Sequence, residues 1–84
     1  MIVVRKGVNK MIKAVLLDHL KFKEERKTLK LSQEKIAEQL GISDRHVRNL
    51  EAKDIAVSIK ILYQISNVFG KSMDYFLKII EEES

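Results

Sequence analysis

The stretch SQEKIAEQLGISDRHVRNLEAK, from Ser32 to Lys53, limits the possible folds more than any other part of the chain. Ser32 suits a helix N-cap, because its hydroxyl can accept a hydrogen bond from an N–H that the first turn leaves unpaired. Ile36, Ala37 and Leu40 follow at the spacing of a single apolar helix stripe, which predicts a helix over about residues 32–39. Gly41 then stands where that helix must stop, since glycine enters the left-handed region without the steric cost carried by a Cβ. Ser43 can cap a second helix, in which Val47 and Leu50, three apart, face inward together. Ala37 is small enough for the two helices to approach closely. The prediction is two short crossed helices joined by a tight turn at residues 40–43.

The outward face of the second helix has its own chemistry. At ~100° per residue around the axis, Arg45, Arg48 and Asn49 lie farthest from the Val47–Leu50 side, with Asp44 and His46 on the flanks. Arginine matches a guanine edge and asparagine an adenine edge, each with two hydrogen bonds, and an α-helix fits the major groove. The plain alternative is a solvated face. Composition alone favours it, because charged and amide residues cover most exposed helix surfaces.

A family resemblance over residues 17–77 shifts that balance. The run L-S-Q-E-K-I-A-E-Q-L-G-I-S followed by V-x-x-L-E resembles the Xre-type helix-turn-helix regulators, the phage-repressor and Cro class. Arg26, Glu51 and the later S-M-D-Y-F-L are similar to further parts of the family pattern. Gln33 resembles the family glutamine that binds a DNA phosphate and supports the recognition helix; with the helical face above, base reading is assigned to Asp44, Arg45 and Asn49, with His46 beside them, and phosphate contacts to Gln33, Ser43, Arg48 and Lys53. The resemblance also implies a partly buried salt bridge between Arg26 and Glu51, which would fix an angle more than add net stability. The chain departs from the family at Lys53, where a glycine is common, and at Val57, where a proline is common.

Charge is distributed in a way that fits this expectation. Residues 1–31 hold nine Lys or Arg against three acidic residues, residues 32–53 are balanced, and residues 54–84 hold three basic against five acidic. A basic front end suits contact with phosphates, and an acidic tail suits a surface held away from them. With 84 residues and 45% apolar content the chain is expected to form one small domain, residues 9–84, preceded by a flexible arm at residues 1–8. The absence of cysteine excludes disulfides and thiolate metal sites and makes the reducing cytoplasm the expected compartment. No apolar run approaches the ~18 residues of a membrane span, and the first ten residues lack the features of a signal peptide.

The remaining segments complete an all-α expectation. From Asn9, the residues Ile12, Val15, Leu16, Leu20 and Phe22 suggest a long first helix ending near Thr28, with Leu29 and Leu31 closing over the core. Its stripe from Met11 to Leu16 needs a cover, either the C-terminal helix or another subunit. Ser58 caps a fourth helix with Ile59, Leu62, Ile65, Val68 and Phe69 inward and Ile61 and Tyr63 widening the apolar face. Gly70 ends it. Ser72 caps a fifth with Met73, Phe76, Leu77 and Ile80 on one stripe, while Tyr75 and Ile79 fall outside it. The fold class predicted is a compact five-helix bundle of the phage-repressor type, with helices 2 and 3 forming the helix-turn-helix.

Catalysis finds little footing in this sequence. His19 and His46 lie on different helices without metal-ligand spacing, and no glycine-rich phosphate loop or nucleophile elbow occurs. No cofactor and no metal are expected. The reading is a transcriptional regulator, a repressor binding double-stranded operator DNA as a homodimer. The alternative is a protein-binding module, such as an antitoxin or accessory subunit that holds a second protein through the same fold.

Overall fold

Five side chains set where the local structures begin, each accepting a hydrogen bond from an otherwise orphaned N–H. In the computed structural model, which describes residues 10–83 and side chains of residues 11–82, the first of these is Asp18. It ends strand β1 (Lys10–Leu17) and starts helix α1 (His19–Thr28), accepting from the N–H groups of Leu20 and Lys21. Ser32 caps α2 (Gln33–Leu40), Ser43 caps α3 (Asp44–Ala52) and Ser58 caps α4 (Ile59–Phe69). Ser72 caps a 3₁₀ turn (Met73–Phe76), and strand β2 (Leu77–Glu83) follows. Helices α2 and α4 stop at Gly41 and Gly70, both left-handed, with φ of 71° and 66°.

The apolar faces of these helices meet in one core. Phe22, Ile36, Ala37, Leu40, Val47, Leu50, Leu62, Ile65, Phe69 and Phe76 are buried there, together with Leu17 from the end of β1. Phe69 bridges the first and last parts of the chain, with its ring centre 5.8 Å from that of Phe22 and 5.6 Å from that of Phe76. Tyr75 lies edge-on to Phe76, and its hydroxyl donates to the Glu25 carboxylate at 3.0 Å. Ile59, Tyr63, Leu20 and Leu29 were candidates for the apolar face or the core, but they are exposed. Leu20, Ile59 and Tyr63 lie too far round their helices for a domain this small to cover, and Leu29 follows the end of α1.

The all-α, five-helix expectation is wrong at both ends. Residues 10–17 form a strand rather than the start of a long first helix, and residues 77–83 form a strand rather than the body of a fifth helix. The two pair antiparallel, from Leu17 opposite Leu77 to Lys10 opposite Glu83, with a bulge at Lys13. Short apolar runs fit either period, and here the long-range pairing decides between them. It sets Val15 against Ile79 and Ala14 against Ile80, so each strand covers apolar surface that neither could bury as a lone helix. The fold is therefore four α-helices, a 3₁₀ turn and a two-stranded sheet among the described residues. The predicted arm at residues 1–8 lies outside them.

The ribbon is fastened to the domain at its base. Leu17 N–H donates to the Ile55 carbonyl and Asp18 N–H to the Phe76 carbonyl, both at 2.7 Å. Asp54 accepts from the backbone N–H and the ring of His19, and its other oxygen lies 2.8 Å from the Lys78 ammonium on β2. Farther out the ribbon projects. The described structure measures 45 × 22 × 21 Å, and the excess along one axis matches the ~23–26 Å that an eight-residue strand spans at ~3.3 Å per residue.

A second fastening orients α3. Arg26 of α1 donates through Nε to Glu51 Oε2 at 2.6 Å and through a terminal nitrogen to Glu51 Oε1 at 3.0 Å. A third donation reaches the Leu31 carbonyl at 2.7 Å, and both side chains are buried. The forked contact fixes the end of α3 relative to α1 in distance and in angle.

Two outcomes follow for stability. Replacing either partner alone, as Arg26→Met or Glu51→Leu, strands a buried charge and should cost about 3–5 kcal/mol, whereas the double variant should recover most of that loss. Urea unfolding of the three variants measures it. The Lys78 ammonium, then the hydrogen bonds from His19, hold the Asp54 carboxyl well below its ordinary value of 3.8. A depressed native value contributes stability that is present above pH 3.8 and lost as pH falls through the native value. Asp54→Asn should therefore unfold at lower urea than the unaltered protein at pH 7, and the gap should close below pH 3.8.

Candidate nucleic-acid interface

Val47 and Leu50 bind one side of α3 to the core, and Glu51 is held by Arg26. That attachment determines which residues of the helix remain outside. Arg45, Arg48 and Asn49 are exposed, and none of their side chains makes a hydrogen bond or ion pair with another described residue. The result is two guanidinium groups and one amide with all their donors available. Asp44 and His46 are half-exposed at the flanks of the same face. Asp44 occupies the first turn, where a carboxylate is favoured by the partial positive charge of the helix N-terminus.

The residues expected at phosphates occupy three places around this helix. The Ser43 hydroxyl oxygen accepts from the His46 N–H at 3.0 Å, which leaves the hydroxyl proton for an outside acceptor. Gln33 is the first residue of α2, so its backbone N–H is one of the unpaired donors of that helix start. Its side-chain amide donates to Glu51 Oε1 at 3.1 Å, which ties it into the Arg26–Glu51 pair and leaves a second amide proton. Lys53 is exposed at the end of α3. Its φ of −164° is extended, so this position does not need the glycine that the family commonly has there.

Sequence reasoning missed the link from Gln33 to Glu51. It joins the start of α2, the end of α3 and, through Arg26, α1. Nothing in the local sequence of either residue signals it, because the partners are 18 positions apart. The cluster at the base of the ribbon was also missed. Asp18, His19 and Asp54 bring potential ligand atoms within 4.8 Å of one another. Asp18 Oδ1 caps α1, and the two Asp54 oxygens are held by His19 and Lys78, so these groups join the ribbon's base to the start of α1.

No described helix is long and apolar enough to cross a membrane. No curated protein matches the chain. A family model described as helix-turn-helix matches residues 22–76, which run from the buried Phe22 of α1 to the buried Phe76 and include both the α2–turn–α3 unit and the Arg26–Glu51 pair. The ribbon lies outside that match on both sides. The chain belongs to the Xre-type, phage-repressor and Cro-like helix-turn-helix family and is a DNA-binding transcriptional regulator.

Proposed function

We propose that the protein is a repressor that binds a specific operator as a homodimer, with α3 of each copy in the major groove. The observation that carries this reading is the outward face of α3, where Arg45, Arg48 and Asn49 are exposed and without partners among the described residues. In this reading Arg45 and Asn49 read purine edges through paired hydrogen bonds, and Asp44 accepts from a cytosine amine, with His46 alongside. Gln33, Ser43, Arg48 and Lys53 hold phosphates and so set the register of the helix on the duplex.

A dimer follows from the length of what one helix can read. A single α3 covers only a few base pairs, whereas two related by a two-fold axis read half-sites ~34 Å apart and multiply the discrimination. In this reading control is by exclusion of polymerase. An operator overlapping a promoter is then closed to polymerase.

Selection of bound fragments from random DNA should return a palindromic site. On that site Arg45→Ala and Asn49→Ala should each cost about 1–3 kcal/mol, roughly five- to 150-fold in affinity, while binding to unrelated DNA changes little. Lys53→Ala should weaken all DNA alike and lower the slope of log affinity against log salt by about 1. Fluorescence anisotropy at two or more salt concentrations separates the two classes. Variants at Arg45 and Asn49 that bind the selected site like the unaltered protein would overturn the base-reading assignment.

A further inference from the structure

The β1–β2 ribbon is incomplete as it stands. Two antiparallel strands alone are marginal in water, and stability comes with a third strand or a covering layer. Here the base is fastened to the domain, but Met11 and Ile12 on the outer half, and Val15 nearer the base, remain exposed. The two outer edges differ. That of β1 is taken at its base by Ile55 and distorted by the bulge at Lys13, both of which oppose further pairing. That of β2 is regular along its length and has no strand beside it among the described residues.

The side chains of β2 indicate what fits that edge. The strand reads LKIIEEE, with Lys78 near one end, acidic residues at the other and Ile80 at the midpoint of Leu77–Glu83. We propose that β2 pairs antiparallel with β2 of a second copy, about a two-fold axis at Ile80, to make a continuous four-stranded sheet. This assignment rests on the dimeric reading above and gives it an interface.

The register follows from charge. With the axis at Ile80 all seven residues of the strand are paired, Lys78 stands opposite Glu82 of the second copy, and the same contact recurs across the axis. Lys78 and Glu82 are four apart, so they project from one face of the sheet, and the ammonium still has donors beyond the one near Asp54. Ile79 stands opposite Glu81 and Ile80 opposite its own copy, so no acidic residue faces another. Moving the axis to Glu81 or Glu82 sets that residue against itself, and like charges directly opposite are destabilising. Moving it to Ile79 or Lys78 shortens the paired length. The strand is thus complementary to itself in one full-length register.

The chain has no cysteine, so a single introduced thiol reports the contact. Directly opposite residues in an antiparallel pair have Cβ atoms about 4.5–5.5 Å apart, close enough for an Ile80→Cys variant to form a disulfide-linked dimer under mild oxidation. Ile12→Cys, on the far strand, should remain unlinked. Glu82→Lys, at an exposed position, should weaken self-association about tenfold in analytical ultracentrifugation, with a smaller effect at 1 M salt. A protein that sediments as a dimer while Ile80→Cys fails to link and Glu82→Lys has no effect would overturn this interface and leave the dimeric reading intact. A protein that is monomeric at all concentrations and binds its selected site as one chain would overturn both.

Discussion

The contact between Arg26 and Glu51 governs the geometry of the DNA-binding face. Both groups are buried, and removing two charges from water offsets much of what their attraction supplies. The return is directional. A guanidinium fork holding both oxygens of one carboxylate resists rotation as well as separation, so the end of α3 is set against α1. Gln33 adds a third member from the start of α2 and the Leu31 carbonyl a fourth, which leaves the carboxylate and guanidinium satisfied at little cost in uncompensated burial. A helix that reads base edges within hydrogen-bonding distance benefits more from such a fixed orientation than from a similar amount of undirected apolar burial.

The distribution of partners across the molecule follows the same logic. Asp18 caps α1, Glu25 accepts from Tyr75, Glu51 holds Arg26, and Asp54 is shared by His19 and Lys78. Each of these carboxylates serves a structural junction. The side chains of Arg45 and Arg48 have no hydrogen-bond or ion-pair partner among the described residues, so their charge is directed outward. Nearby carboxylates would compete with phosphates for the same donors and would lower the gain from releasing counterions. Asp44 is the one carboxylate of the outward face of α3, and it stands at the helix N-terminus, whose partial positive charge favours it there.

How much of this was legible in the sequence depended on the range of the interaction concerned. Ser32, Gly41 and Ser43 act on bonds within four residues of themselves, and the helices that they bound could be read directly. The family pattern brought Arg26 and Glu51 together on paper, and their geometry came only with the structure. The strands were misread because KMIKAVLL and LKIIEEE satisfy a helical stripe about as well as a strand, and what decides is a partner sixty or more positions away. The end of α1 near Thr28 was read correctly, although no glycine marks it. Lys30 takes the left-handed conformation there, φ 58°, where glycine is usual.

The misread ribbon also changes what the family core implies. The matched region, residues 22–76, contains every residue of the α2–turn–α3 unit but neither strand. The ribbon is attached to that region through Ile55, Phe76 and Asp54, and two of these lie in the segment just after α3. Whatever fixes the ribbon in space therefore also fixes the backbone leaving the recognition helix. If two copies share one sheet, the distance between their recognition helices is set by strand spacing and by these few bonds at the ribbon's base, with no flexible linker between. Half-site spacing would then be a property of rigid backbone geometry, which is what a regulator needs if it is to reject operators whose halves are one or two base pairs out of step.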